Sequence, residues 1–255
     1  MRIYFAGIFN AHIGQFDAER LVAQYKPKYL LDSFFYKTQC EKTIQCVDIN
    51  NFMLDSGAFS FMSGAKISKK QMEEYIAQYI EFINRYDVKH FIEIDMDMIF
   101  GLKQVEKWRA MLEKETGKQS IPVWHRNRGV KYYRDMVDEY RYIAIGSQVQ
   151  KIFNISKQDY ENIKKMVLYA YSKGVKVHGL GFTKTQEIQD YKYFSVDSST
   201  WKMGAILGRQ VHKFNGTRIQ SKKVKTNNRA DFRKMIENNF IEWCKYQKYM
   251  DRGIV

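Results

Sequence analysis

Three aspartates occupy the positions of this chain that are best suited to chemistry. Asp55, Asp95 and Asp197 each follow a short apolar run, and Asp55 is followed by Ser56 and Gly57. Polar residues at the carboxyl ends of parallel strands meet at one end of a barrel, where a carboxylate can act as general acid, general base or nucleophile. We therefore predict an active site built from these acids, although Asp55 could instead cap the turn that follows it.

Two further acids lie beside Asp95. Alternation along a strand places Glu93, Asp95 and Asp97 on one face and apolar residues on the other. Three carboxylates on one face of a central strand are costly unless they are paired, solvated in a cleft or bound to a ligand. The pattern predicts a binding cleft, and an exposed edge strand is the alternative.

Other residues at predicted strand ends could bind a substrate. His125 could donate a hydrogen bond, and the neighbouring Arg126 and Arg128 could meet phosphate. Gly146 could let a ligand approach the backbone, although a simple turn explains this glycine equally well.

The segment that begins at His178 carries two more glycines. Gly179 and Gly181 could leave space for a flat ring, and the helix predicted after them could hold an anion at its N-terminus. Trp201, shortly after Asp197, is expected to pack in the core rather than stack on a base.

Short β-rich runs alternate with longer amphipathic stretches along the chain. Strands are predicted at Arg2–Ala6, Tyr29–Leu31, Phe52–Leu54, His90–Asp95, Ile121–Trp124, Tyr142–Ile145, Val175–His178 and Tyr193–Val196, with a further one at Gln210–Phe214. Helices are predicted from Ser68 as N-cap, at Leu102–Glu115, at Tyr132–Glu139, from Ser156 to Gly174, at Thr183–Asp190 and at Arg229–Tyr249.

This alternation predicts βαβ units and a mainly parallel sheet. Eight such units that close on themselves make a (β/α)8 TIM-like barrel. We expect a single α/β domain over residues 1–255, with no zinc subdomain and with a C-terminal helix (about 229–250) packed on the barrel. An open doubly wound sheet is the alternative, but neither GxGxxG nor GxxxxGK[ST] occurs.

The net charge of +14, from 42 Lys and Arg against 28 Asp and Glu, favours a polyanionic partner. A lysine-rich surface without a partner is the alternative, and the basic stretch Arg218–Arg233 could be either a solvated loop or a nucleic-acid contact. No apolar run reaches about 18 residues, so no membrane span is expected. Three loosely spaced cysteines and the lack of a visible signal peptide favour the cytoplasm.

The order of these motifs over roughly residues 50–201 resembles the tRNA-guanine transglycosylase superfamily. Its matching positions are Asp55-Ser56-Gly57-Ala58-Phe59 for the family's DSGGF, Asp95 for its purine-reading Asp, Gly146 for the glycine that borders the base pocket, His178-Gly179-Leu180-Gly181 for LMGVG, and Val196-Asp197 for the FDCV segment that holds the nucleophile.

The chain also departs from that family. The zinc-binding CxCxxC and its downstream His are absent, Asp197 is followed by Ser-Ser-Thr-Trp rather than CVxPTR, and the position of a pocket Gln falls near His125. These departures resemble the phage and genomic-island branch, whose members exchange guanine in DNA for a 7-deazaguanine. DNA is therefore the first expected substrate and tRNA the second, in the host cytoplasm if a phage encodes the chain.

The resemblance implies a guanine transglycosylase (a pentosyltransferase) with no cofactor and no metal. Asp197 would attack C1′ of a flipped-out guanosine to form a covalent glycosyl-enzyme, while Asp55 would handle the proton of the departing guanine and of the incoming base, such as preQ0. The predicted base-binding residues are Ser56, Gly57, Asp95, His125, Gly146, His178, Gly179 and Gly181. The predicted nucleic-acid contacts are Arg126, Arg128, Lys202 and Arg209.

Two other functions remain open from the sequence. A metal-dependent hydrolase or phosphodiesterase could use Glu93, Asp95, Asp97, His125 and His178 as ligands, although no HxH or HxD pair occurs. A non-catalytic nucleic-acid-binding protein could carry the same barrel and the same charge. The need for a partner protein is also open.

Overall fold

The computed structural model describes residues 1–9, 17–62, 67–146, 157–182, 188–225 and 228–253. Ser156, predicted to open a helix, and the first residues of the helix predicted at Thr183–Asp190 lie outside these ranges. The end of that segment forms a 3-10 helix at Ile188–Tyr191.

All but the last of the named strands overlap strands that the sequence predicts. The strands are β1 (Arg2–Ala6), β2 (Leu30–Ser33), β3 (Phe52–Asp55), β4 (Val123–Trp124), β5 (Tyr142–Ile145), β6 (Lys176–Gly179), β7 (Ser195–Ser198), β8 (Gln210–Phe214) and β9 (Ile219–Lys223). The first seven form one parallel sheet in the order β3-β2-β1-β7-β6-β5-β4.

Helices follow most strands, as parallel pairing requires. They are α1 (Ala18–Tyr25), α2 (Lys37–Gln45), α3 (Ala58–Met62), α4 (Lys69–Arg85), α5 (Asp97–Phe100), α6 (Leu102–Thr116), α7 (Gly129–Glu139), α8 (Lys157–Ser172), α9 (Thr200–Ile206) and α10 (Arg229–Asp251). Further 3-10 turns lie at Phe34–Tyr36, Ile49–Asn51 and Arg126–Arg128.

The sheet is curled, and one short segment lies between its two outermost strands. Phe91 pairs with Leu54 of β3, and Ile92 pairs with Ile121, just before β4. The backbone N–H of Ile92 donates to the Leu54 carbonyl at 2.9 Å, and that of Glu93 donates to the Ile121 carbonyl at 3.1 Å. The segment predicted as a strand at His90–Asp95 is thus extended and paired only over its first part.

The core has an inner and an outer layer, because side chains along a strand alternate between the two faces. The inner layer fills the curled sheet and contains Tyr4, Tyr29, Leu31, Met53, Ile92, Ile121, Val123, Tyr142 and Ala144. The outer layer lies between the sheet and the helices, and Trp124 belongs to it whereas the preceding Val123 faces inward.

Helix α4 shows how the local sequence fixes one of these elements. Ser68 caps it as predicted, with a reciprocal capping box between Ser68 and Gln71. Its buried face includes Ile76 and Tyr79, and the Tyr79 hydroxyl donates to the Ile92 carbonyl at 2.9 Å. The helix therefore supports the segment that lies between β3 and β4.

The C-terminal region differs from the prediction at one point. Strand β8 forms where expected, but it pairs antiparallel with β9 in a hairpin outside the parallel sheet. The basic stretch Arg218–Arg233 is therefore not one loop, because it includes β9 and the start of α10. Helix α10 packs on the sheet through Phe240, which contacts Phe5 and Trp201, so Trp201 lies in the core as expected.

No helix in the described part of the chain is both long enough and apolar enough to cross a membrane.

Candidate active site

Two of the predicted catalytic acids lie on the inner face of the sheet. Met53 of β3 belongs to the inner layer, and Asp55, two residues further, faces the same way. On β7, Ser195 hydrogen-bonds the inner residue Tyr142, and Asp197 again follows two residues later. Both acids lie at the carboxyl ends of their strands, so they open into the same end of the sheet, which we call the mouth.

Asp55 carries the most perturbed carboxyl group of the mouth. Burial, followed by the charge of Asp95 and then that of Asp197, raises its pKa to about 7, although a hydrogen bond from the Gly57 N–H (3.0 Å) opposes the rise. Because both aspartates act on Asp55, the three carboxyl groups lie near one another. A group with this pKa can either donate or accept a proton near neutral pH.

Asp95 is paired with a histidine. His125 Nε2 lies 2.8 Å from Asp95 Oδ2, and His125 Nδ1 lies 2.9 Å from the carbonyl oxygen of Gly146. A carbonyl can only accept, so Nδ1 carries a proton, and Nε2 meets a carboxylate. Burial acts to lower the pKa of His125, but its hydrogen bond to Asp95 and the charge of Asp95 outweigh burial and raise it. His125 is therefore an imidazolium that balances Asp95.

Asp197 is paired with a second histidine in a different way. His178 Nε2 lies 3.2 Å from Asp197 Oδ1, and His178 Nδ1 lies 2.6 Å from Ser195 Oγ, which in turn meets the Tyr142 hydroxyl. Burial raises the pKa of Tyr142 well above its usual value, so this hydroxyl keeps its proton and can donate it to Ser195. We assign Ser195 in turn as the donor to Nδ1, an arrangement in which His178 is neutral with its proton on Nε2.

The hydrogen bonds to Asp197 all fall on one of its two oxygens. Oδ1 accepts from His178 and from the backbone N–H of Gly181 at 2.7 Å. None of the described residues hydrogen-bonds Oδ2. With Asp197 oriented through Oδ1 and only 8% exposed, Oδ2 is the oxygen available to a substrate.

The two remaining acids of the Asp95 segment have structural roles. Glu93 is buried and accepts from Arg109 (3.1 Å), from Arg128 (2.7 Å) and from the Val123 N–H (2.8 Å). Asp97 begins helix α5 and also accepts from Arg128, at 2.8 Å. The expectation that Glu93, Asp95 and Asp97 share one face is wrong, because the chain turns at Ile94–Met96, where the Met96 N–H donates to the Ile94 carbonyl at 2.9 Å.

The same contacts correct the prediction for Arg128. Its side chain is fully buried between Glu93 and Asp97, and its hydrogen bonds to the two carboxylates hold it there. Arg128 therefore cannot contact phosphate. Arg109, which sequence reasoning missed, shares the task of neutralising Glu93, and nothing in the spacing of these residues indicates that they meet.

Several predicted base-binding positions are already filled by protein. A side chain at Gly146 would meet the His125 ring at 2.4 Å, and one at Gly179 would meet Phe182 and Tyr193 at 3.1 and 3.2 Å. These two glycines make room for neighbouring side chains rather than for a purine. Both ring nitrogens of His125 and both of His178 have hydrogen-bond partners within the protein, so neither ring is available to read a base edge.

The turn after β3 is also built for packing. Gly57 has a φ of +80°, and a side chain there would lie 2.7 Å from Phe35. Ser56 is buried, and its carbonyl accepts from the Tyr75 hydroxyl at 2.7 Å. Ser56 and Gly57 thus shape the turn whose Gly57 N–H donates to Asp55. Their contact with a base stays a prediction.

The three other predicted phosphate contacts differ in exposure. Lys202 is buried and donates to the Gly7 carbonyl, and burial, opposed by the charge of Asp32, lowers its pKa to about 8. A phosphate contact by Lys202 is therefore contradicted. Arg126 is exposed beside Asp159 at 3.0 Å, and Arg209 is exposed, so both can reach a ligand.

No group of three or more His, Cys, Asp or Glu side chains within the described ranges could hold a metal ion. The ligand set proposed from sequence is divided: Glu93 and Asp97 are held by arginines, and His125 and His178 belong to separate carboxylates. Sequence reasoning also missed Ser195 and Tyr142. The position of Ser195 two residues before Asp197 on one strand is the signal that could have indicated it.

The chain matches no protein-family model and no curated protein. Among solved structures it is similar to a candidate fructose-1,6-biphosphate aldolase from Coccidioides immitis, with 12% identity over 98% of this chain and 89% of that chain and a TM-score of 0.53. It is also similar to a citrate lyase from Burkholderia xenovorans LB400, with 7% identity over 100% and 92% of the two chains and a TM-score of 0.46. The first likeness shows the fold alone: an α/β fold with a curled parallel sheet, as in TIM-barrel aldolases.

Proposed function

We propose that the chain is a single-domain (β/α)8 TIM-like barrel and an enzyme, a base-exchange transglycosylase. The segment around Phe91 and Ile92 supports the closed barrel, because it is hydrogen-bonded to β3 on one side and to Ile121 on the other. It would serve as the eighth strand, and α10 as the last helix of the outer ring.

The reaction we propose replaces guanine in a nucleic acid with a 7-deazaguanine. The observation that carries this proposal is the pair of acids with different environments in one mouth: Asp55, whose pKa is raised to about 7 in part by the charge of Asp197, and Asp197, whose Oδ2 accepts no hydrogen bond from the described residues. Two carboxyl groups whose environments separate their proton affinities are the arrangement that glycosyl transfer with retention requires.

The chemistry follows from these two groups. Asp197 Oδ2 attacks C1′ of a flipped-out guanosine, the bond from C1′ to the purine breaks, and the leaving purine takes both bonding electrons and the proton of Asp55. A covalent ester between Asp197 and the sugar results. The incoming base then loses a proton to the Asp55 carboxylate and attacks C1′, which releases Asp197 as a carboxylate.

Asp95 is the best candidate for reading the purine. Its Oδ2 is held by His125, whereas no hydrogen bond from the described residues falls on Oδ1. A carboxylate oxygen can accept from the ring and exocyclic N–H groups that guanine presents on one edge. The imidazolium of His125 lies against Asp95 Oδ2 in the mouth, where Asp95 is 9% exposed.

The proposal also names the class of nucleic acid that is the substrate. The net charge of +14 favours a polyanion, and DNA is our first substrate, with tRNA the second. Arg126 and Arg209 remain candidates for phosphate contact because both are exposed. A cytoplasmic location is consistent with this substrate class and stays a prediction.

A base-exchange assay tests the proposal. Wild-type protein should incorporate labelled guanine or preQ0 into duplex DNA or tRNA, whereas Asp197→Asn and Asp55→Asn should not. Asp190→Asn, which alters an exposed carboxylate, is the matched control and should retain wild-type exchange. Full activity of Asp197→Asn would remove the mechanism.

A further inference from the structure

The β8–β9 hairpin carries a concentration of positive charge that the mouth does not use. Between residues 209 and 225 the sequence has six cationic side chains and no acid. All six side chains are exposed: Arg209, Lys213, Arg218, Lys222, Lys223 and Lys225. A two-stranded surface of this composition has a strongly positive potential.

None of the six cations is paired with a carboxylate of the described residues, whereas several other exposed cations of the molecule are. Elsewhere on the surface, basic side chains such as Arg20, Arg85 and Lys131 lie within 2.8 to 3.4 Å of an acid. No such pair with a described carboxylate forms for the six cations of the hairpin. Their charge is therefore not neutralised within the described fold.

Helix α10 holds the backbone of the hairpin in place, and with it the positions from which the charged side chains extend. An isolated two-stranded hairpin is marginally stable in water, and it needs other contacts. Asn239 accepts from the His212 N–H at 2.7 Å and donates to the Gln210 carbonyl at 3.0 Å, while Glu242 accepts from the Phe214 N–H at 2.7 Å. Helix α10 thus binds the outer edge of β8 and leaves β9 as the outer strand.

The apolar side chains of the hairpin point towards the protein. Ile219 is buried, and the ring of Phe214 packs against Tyr246 and Tyr249 at 5.7 and 5.5 Å. Strand residues alternate, so Lys213, Gln220 and Lys222 lie on the opposite face together with Val211, which is half-buried against the core. Lys223, at the end of β9, lies on the face of Ile219 but is exposed. A membrane-binding surface would present exposed apolar side chains with the cations, whereas the exposed side chains of the two strands are cations and hydrogen-bonding groups.

We propose that the exposed cationic surface of the β8–β9 hairpin is a docking surface for the phosphate backbone of a nucleic acid. The inference rests on the proposed function in taking a nucleic acid as the partner, but it assigns a surface distinct from the mouth. The backbone is contacted through charge and hydrogen bonds without base reading, which suits a surface that positions a polymer whose target base enters elsewhere.

Lysines on an outer strand also have a structural use, because they oppose edge-to-edge association of sheets. That role needs no ligand, so it predicts a different result when the charges are removed: the protein would self-associate, and its affinity for nucleic acid would not change. The two roles are therefore separable by experiment.

The test compares two triple variants of equal net charge. Lys213→Gln, Lys222→Gln and Lys223→Gln alter the hairpin, whereas Lys107→Gln, Lys114→Gln and Lys165→Gln alter exposed lysines of α6 and α8. Binding to a fluorescein-labelled 20-base-pair DNA and to an unmodified tRNA is measured by anisotropy at several salt concentrations. Circular dichroism and light scattering report folding and association, and a Lys→Arg triple at the hairpin positions retains the charge.

We expect the hairpin Gln triple to bind at least about tenfold more weakly to one or both polymers, with a salt slope reduced by roughly 0.9 for each DNA phosphate that the variant no longer neutralises. The control and Arg triples should bind like the wild type. Unchanged affinity of a folded Gln triple, or self-association with unchanged affinity, would overturn the inference. The inference would also be overturned if the wild type bound phosphatidylserine vesicles in preference to nucleic acid, and if the Gln triple lost vesicle binding rather than nucleic-acid binding.

The outcome is independent of catalysis. If the Gln triple binds normally while wild-type protein exchanges bases, the docking surface is wrong and the proposed function stands. If the Gln triple loses binding while wild-type protein exchanges no base, the docking surface stands and the transglycosylase proposal fails.

Discussion

Two aspartate–histidine pairs face the same mouth, yet they hold their charges differently. His125 and His178 each present Nε2 to a carboxylate, at 2.8 Å from Asp95 and 3.2 Å from Asp197. The difference lies at the other ring nitrogen, which meets the Gly146 carbonyl in the first pair and the Ser195 hydroxyl in the second. The Gly146 carbonyl can only accept, so Nδ1 of His125 carries a proton and the ring is a cation. The Ser195 hydroxyl can donate to Nδ1 of His178, and in that assignment the ring is neutral.

The comparison shows how one local contact divides the work of two similar side-chain pairs. The Asp95–His125 pair has no net charge and is suited to binding. The Asp197–His178 pair keeps a net negative charge with Oδ2 open, and it is suited to nucleophilic attack. Asp55 lies near both pairs, and the charges of Asp95 and Asp197 both raise its pKa.

The largest expected difference is in catalysis. Asp197→Asn should lower kcat/KM for base exchange by at least about 10³-fold, since it removes the nucleophile. Asp95→Asn should act mainly on KM, by about 10- to 100-fold, because it weakens contacts that hold the base. Steady-state exchange kinetics measure both. Equal losses in kcat for the two variants would remove the division of roles.

The second effect concerns stability and tests the raised pKa of Asp55. A carboxyl group whose pKa is raised to about 7 in the folded state destabilises the fold once it ionises, so stability falls as pH rises from about 4 through 7. Asp55→Asn should therefore increase the free energy of unfolding at pH 8 by roughly 2 to 4 kcal/mol. Urea unfolding at pH 8 and pH 4 measures it, and the gain should vanish at pH 4.

A smaller effect separates the two histidines. The raised pKa of His125 means that its protonated form stabilises the fold fully below the unfolded pKa of about 6.5, and that this contribution is lost as pH rises through the folded-state value. His125→Gln should cost about 1 to 3 kcal/mol at pH 6 and less at pH 9. His178→Gln, which removes no charge, should cost the same at both pH values. A pH-dependent cost for His178→Gln would contradict its neutral state.

The smallest effect is spectroscopic and reads the proton positions directly. In ¹⁵N NMR spectra at pH 7, both ring nitrogens of His125 should carry protons, whereas in His178 only Nε2 should. Ser195→Ala should change the His178 signals and leave those of His125 unchanged. A doubly protonated His178 would reverse the comparison.

Much of the sheet could be predicted from the sequence, because period-two alternation and buried β-rich runs are local properties. Strands β1, β5 and β8 have the predicted bounds, and the Ser68 cap of α4 is confirmed. Helices α1 and α2 were missed, as was β9, whose only buried residue is Ile219. A strand that is stabilised by its hairpin partner rather than by burial carries little local signal.

The candidate site was predicted less completely, for a physical reason. The acids could be found because each ends an apolar run, which is a local pattern. The partners could not: Arg109 and Arg128 meet Glu93 from 16 and 35 residues away, and Tyr142 reaches Ser195 across 53 residues. The space above Gly146 and Gly179 was likewise filled by His125 and Tyr193, which only the packing of the whole fold determines.

The central claim is that Asp197 forms the covalent bond to the substrate sugar. Trypsin releases the segment Tyr193–Lys202, in which Asp197 is the only carboxylate side chain, and the segment His90–Lys103, which contains Asp95. After an acid quench during exchange and nuclease digestion, mass spectrometry should find the sugar phosphate on Tyr193–Lys202, and Asp197→Asn should abolish it. Exchange without any adduct, or an adduct on His90–Lys103, would contradict the account.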